Sequence, residues 1–131
     1  MAIDKSNWRI DVFNILQKFK PEAQNAAQLI YEYSDENHRG IITEITLGVI
    51  RNSALLDNII IINSEQPLKN IPREILTCLR IAVYELIYTQ EAIYAVVNEA
   101  VNIAKITASK KAGGFVNAVL RKILSNIKNR N

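Results

Sequence analysis

Reactive and metal-binding side chains are almost missing from these 131 residues, which hold one cysteine, Cys78, and one histidine, His38. A lone cysteine cannot close an internal disulfide. With the two residues some forty positions apart, neither a metal-ligand cluster nor a Cys–His nucleophilic pair is supported. Such usage fits a reducing, cytoplasmic home. Turn residues are scarce as well: four glycines and three prolines argue against a many-stranded sheet and for a helical bundle. There is no Walker-type phosphate loop and no GxGxxG after a strand. The start, MAIDKSNWRI, lacks the apolar core of an export signal. The most apolar run, Ala54–Ile62, is broken by Asp57 and Asn58 and is too short to span a bilayer, so no membrane role is expected. Acids such as Glu85 and Glu99 are the residual catalytic candidates, and Glu99 has no histidine, cysteine or second acid near it in sequence. The chain is expected to be non-catalytic and to need no metal or cofactor.

Acid is also missing from one end. After Glu99 no Asp or Glu occurs, whereas Lys105, Lys110, Lys111, Arg121, Lys122, Lys128 and Arg130 follow. Residues 1–66 carry six Lys/Arg against nine Asp/Glu, and residues 67–131 carry ten against four, so the modest net charge of +3 hides a basic back half. This asymmetry is an electrostatic footprint for a phosphate-bearing partner. A solvated basic tail would read the same way.

What is present is an apolar content of 49% with 22% charged residues, the balance of a folded domain. Seven helical patterns follow in order. Asn7–Phe19 carries Trp8, Val12, Ile15, Leu16 and Phe19 at helical spacing, with Ser6 as its cap. Pro21 stops it and suits the first turn of a second helix through Tyr31. The polar cluster Ser34–Asn37 breaks the pattern and supplies the next cap. A third helix then reaches about Ile50, and Gly48 within it predicts a close helix crossing. The fourth, about Ala54–Ile62, contains four consecutive isoleucines that would equally suit a buried strand; helical neighbours favour a helix.

A loop over 63–71 divides the chain into a front half, about 7–63, and a back half, about 72–128, of one domain. Pro72 opens the fifth helix, which reaches Tyr88 and is apolar around most of its circumference. Cys78 within it reads as a small core residue. The sixth runs over about 93–106. The seventh starts near Lys111, with Val116, Val119, Leu120, Ile123 and Ile127 on one stripe and Arg121, Lys122, Ser125 and Lys128 opposite.

The joint KKAGGF between the last two helices holds the most informative chemistry. Lys110 and Lys111 stand where unpaired N–H groups and the helix dipole favour an anion. Gly113 and Gly114 allow a close approach, of a ligand or of another helix. Asn98 and Asn117 lie next to apolar residues. They read either as amides joining the last two helices or capping a backbone, or, for Asn117, as a contact beside Arg121 to RNA. Tyr84, Tyr88 and Tyr94 are core or rim residues that would also suit base stacking.

The series EITLGVIRN (Glu44–Asn52), LLDNII (Leu55–Ile60), LRIAVYELIY (Leu79–Tyr88), VNEAVNIAK (Val97–Lys105) and GFVNAVLRKI (Gly114–Ile123) resembles the NusB-like RNA-binding domain over roughly residues 8–124. The version at the N-terminus of Sun/RsmB-type ribosomal RNA cytosine methyltransferases is especially similar. The resemblance implies an all-α fold of two packed three-helix bundles and an RNA-binding role. Free-standing members bind the boxA element with a small ribosomal-subunit protein in antitermination and ribosomal RNA synthesis. Those proteins carry an arginine-rich first helix, where this chain has Lys5 and Arg9, with Lys18 and Lys20 at the far end. Ala92 also stands where the family often has a proline. The methyltransferase catalytic domain is expected to be absent, the sequence ending at Asn131.

The expectation is a cytoplasmic, non-catalytic RNA-binding protein of ribosomal RNA transcription or maturation. Its RNA surface would comprise Lys110, Lys111, Arg121, Lys122 and Lys128, with Asn117, Lys5 and Arg9; no DNA partner is expected. Two alternatives stand beside it: a free-standing targeting domain for a methyltransferase chain, and a module docking a ribosomal or polymerase-associated protein.

Overall fold

A computed structural model describes residues 7–21 and 25–129, with side chains through Ile127. Among them are seven α-helices: α1 (Trp8–Lys18), α2 (Ala26–Tyr33), α3 (Arg39–Arg51), α4 (Ser53–Ser64), α5 (Arg73–Tyr88), α6 (Ile93–Thr107) and α7 (Lys110–Asn129). No strand occurs in the described residues, so the isoleucine run of α4 is helical. Ser6, expected to cap α1, lies outside the described residues.

The reading of α2 needs correction. Pro21 was expected to open it, but Pro21 sits in a turn and the helix begins at Ala26. The Asn25 side-chain Oδ1 accepts the Ala27 N–H at 2.8 Å and sets that start. Asp35 does the same for a short 3₁₀ turn, Glu36–His38, that leads into α3.

The apolar pattern of α5 makes it the hub. Ten of its sixteen residues are buried, and it packs on α1, α3, α4, α6 and α7. Helices α1, α2 and α3 form one group around it, and α6 and α7 a tightly paired second. The sequence reading put α4 with the front half. It packs on α5 and α7 more extensively than on α3, and its Leu56 and Ile60 are fully buried. The Arg80 guanidinium fixes that side by donating to both Asp57 oxygens at 2.6 and 2.8 Å, and Asn126 of α7 donates to Asn63 of α4. Arg73 donates to the Gln17 carbonyl at 3.0 Å and closes the C-terminal end of α1.

Gly48 is a close crossing, as its place in α3 implied. A Cβ there would overlap the Tyr84 ring of α5. Among the described residues no single helix is long and apolar enough to cross a membrane. The bent pair α3–α4 has such a composition only when taken together, and its Ile42, Ile45, Leu56 and Ile60 are fully inside the core.

Candidate functional site

Helix α7 is amphipathic through its whole length. Ala112, Val116, Val119, Leu120 and Ile123 are buried, which leaves the opposite face to solvent. At about 100° per residue, Lys110, Asn117 and Arg121 fall on one stripe beside α6. Lys111 and Lys122 fall on a second, turned toward the end of α4. The structure thus brings the expected cations onto one helix but splits them between two lines. All four cationic side chains are exposed. Lys5 and the Lys128 side chain lie outside the described residues.

Along the first stripe the Arg121 Nε donates to the Asn117 side-chain Oδ1 at 3.2 Å. Asn98 of α6 is exposed and has no hydrogen-bond partner among the described residues. Neither amide joins the two helices, so that expectation is set aside: the contact line between α6 and α7 runs through small and apolar residues. Gly113 is buried and meets the Lys105 stem, so it serves the helix packing, whereas Gly114 faces open space. On the second stripe Lys122 pairs with Glu65 at 3.0 Å, an exposed contact worth less than about 1 kcal/mol. Lys111 borders a shallow cleft with Gln66, Asn70, Ile75 and Phe115. The N-terminal end of α7 is partly closed, because the Ser109 hydroxyl accepts the Ala112 N–H at 3.0 Å.

Arg9 is not a surface cation. It is 8% exposed, and its Nη2 and Nε donate to the Glu85 carboxylate at 2.7 and 2.9 Å. A further contact reaches Glu91 at 3.1 Å. Burial pushes the Glu85 carboxyl above its ordinary range, and the hydrogen bonds and charge of Arg9 pull part of that back. Burial likewise opposes the Arg9 charge, but Glu85, with Glu91 and Glu99 behind it, more than restores it. Beside this pair Asn7 donates to Glu99 at 2.8 Å. The residual catalytic candidates are therefore both tied to α1, and Arg9 is unavailable to a phosphate. The signal was in the sequence: Arg9 stands one turn before Val12, and Glu85 stands between core residues, both at inward positions.

Of the three tyrosines, Tyr84 is buried and stacks on Tyr88 with ring centres 4.8 Å apart. Tyr94 is 78% exposed. Cys78 is buried, and burial pushes its thiol up to about 12. We expect no reaction with a thiol reagent in the native protein at mildly alkaline pH and full reaction once urea unfolds it, followed by absorbance.

The family model described as the NusB family matches residues 5–125. The transcription antitermination protein NusB of Caldicellulosiruptor saccharolyticus is 37% identical over 122 residues, covering 92% of this chain and 88% of that protein. The probable ribosomal RNA small subunit methyltransferase B of Bacillus subtilis is 38% identical over 97 residues, 70% of this chain but 20% of the methyltransferase. Among solved structures, T. maritima NusB superposes with a TM-score of 0.82 at 25% identity, covering 95% of this chain and 93% of that one. A chain from the crystal structure of a plectonemic RNA supercoil gives 0.84 at 22% identity, which speaks to the fold. The helices, their order and the matched residues agree: the chain belongs to the NusB family.

Proposed function

We propose that this protein is a non-catalytic RNA-binding factor of the cytoplasm, acting in transcription antitermination or maturation of ribosomal RNA. One observation carries the reading: α7 offers Lys110, Arg121 and Asn117 on one exposed stripe and Lys111 on the next, in a stretch without acids. Lys122 joins them once Glu65 releases it. Lys5 and Lys128 are further RNA contacts in this proposal, and Arg9, held by Glu85 and Glu91, is not one. Binding is driven by phosphate contacts that release counterions, so it weakens steeply with salt.

Titrating a labelled ribosomal RNA leader fragment by fluorescence anisotropy at several salt concentrations tests this. Four phosphate contacts on single-stranded RNA give a log–log slope of about −3. The double variant Lys110→Glu/Arg121→Glu is expected to bind at least about tenfold more weakly and with a shallower slope. An unchanged affinity in that variant would sink the basic-edge reading.

A second reading has its own support in the match to the N-terminal fifth of a ribosomal RNA methyltransferase. In it the chain delivers a separate methyltransferase to ribosomal RNA. Co-purification of such an enzyme with the tagged protein would favour this version, and recovery of a small ribosomal-subunit protein would favour antitermination.

A further inference from the structure

Helices α6 and α7 leave a groove of about 740 Å³ on their outer side, lined among others by Ile93, Tyr94, Val97, Asn98, Asn117 and Arg121. Its chemistry is unusual for an open surface. Tyr94 and Ile93 are 78% and 56% exposed, so among the described residues two large apolar groups stand largely in water. Two amides share the wall with them. The Asn98 amide has no partner among the described residues, and the Asn117 NH₂ is left over once its oxygen has accepted from Arg121. The lining holds one cation and no carboxylate. Lys110 lies on the same stripe of α7, toward the joint.

We propose that this groove seats one unpaired base of a single-stranded RNA, stacked on Tyr94 and met at its edge by the Asn98 and Asn117 amides. The proposal rests on the RNA-binding reading above and adds where a base, rather than a phosphate, is held. A nucleobase has two flat apolar faces and a polar edge, which is the complement of this wall. Tyrosine rings stack on any base, and asparagine amides both donate to and accept from base edges. Arg121 then meets the phosphate beside that base. An apolar protein segment would cover Tyr94 and Ile93 equally well, but it would bury two amides without partners, a costly arrangement. A paired base presents no free face to Tyr94, so the strand must be single. The cleft by Leu16 and Phe19 offers no comparable seat, because its Arg73 and Arg80 are already held by the α1 carbonyls and by Asp57.

The test uses the full chain and a short oligouridine carrying one 2-aminopurine, with a duplex RNA of equal length as reference. Stacking in the groove quenches the 2-aminopurine. Tyr94→Ala is expected to lose that quenching and to bind the single strand about tenfold more weakly, while duplex binding stays as it was. Tyr94→Phe should keep both. Replacing Asn98 and Asn117 together by alanine should flatten the preference among homopolymers without changing the salt slope. Tyr94 is so exposed that its variants fold, which circular dichroism checks. If Tyr94→Ala binds and quenches like the parent while Lys110→Glu/Arg121→Glu fails to bind, the base site is wrong and the basic edge stands. If both variants bind like the parent, the basic edge fails too. If Tyr94→Ala instead loses a protein partner with RNA binding intact, the groove is a protein site and the proposal falls.

Discussion

Arg9→Met should destabilise the fold by about 3–5 kcal/mol at neutral pH, read from the shift of the urea midpoint. The side chain is large and apolar enough to fill the space, so packing is not what is lost. What remains is the Glu85 carboxylate, 1% exposed, without the guanidinium that satisfies both of its oxygens. Burial already raises the Glu85 carboxyl above its ordinary 4.5, and removing the cation raises it further. A carboxyl that holds its proton more tightly when folded favours the folded state as pH falls and loses that advantage as pH rises through its folded pKa. The deficit of Arg9→Met is therefore greatest at neutral pH and shrinks as the solution is acidified toward 4.5. The double variant Arg9→Met/Glu85→Leu should recover most of the loss, since an apolar pair can replace a buried ion pair at little expense. RNA affinity of the refolded single variant should match the parent. A loss below about 1 kcal/mol, the range of an exposed pair, would mean that Glu85 finds water instead.

Gly48→Leu is expected to weaken the fold by about 3 kcal/mol, although leucine is the better helix former by nearly 1 kcal/mol. The new side chain points into the Tyr84 ring. That ring is stacked on Tyr88, whose hydroxyl donates to Asn52 at 3.3 Å, so it has little room to retreat. Shortening the obstruction is the diagnostic: Gly48→Leu/Tyr84→Ala should be more stable than the sum of the two single changes. Strict additivity in thermal unfolding would rule out the crossing as the cause.

These positions also show how far a sequence can be read. Gly48 announced itself, because a glycine within an apolar helical pattern is expensive unless something approaches it. Helices α5 to α7 were plain for a similar reason, each carrying a core stripe long enough to outweigh local ambiguity. The start of α2 was not: Pro21 and Asn25 are both good openings, and only the side-chain bond to Ala27 decides between them. Arg9 was harder. A cation near the chain start reads as surface, and its partner lies 76 residues away, a separation that helical periodicity cannot bridge. For the interface, the cations were visible in composition, but their division into two stripes follows from which face of α7 the core claims. Tyr94 was legible as a stacking candidate beside Tyr84 and Tyr88, but its exposure together with Ile93 was not, since it follows from α6 having a full inward stripe without them. Their surplus was the signal.

The tie from α1 to Glu85 and Glu99 has a consequence for how the protein is made. On a ribosome adding roughly 5–20 residues per second, α1 emerges several seconds before α5 and α6 reach it with their carboxylates. Until then Arg9 has no carboxylate partner, although the apolar face of Val12, Phe13 and Ile15 can already meet α2 and α3. Helix α1 thus docks on α2 and α3 before its charge is paired, and the interval before Glu85 arrives is a natural point of engagement for a chaperone.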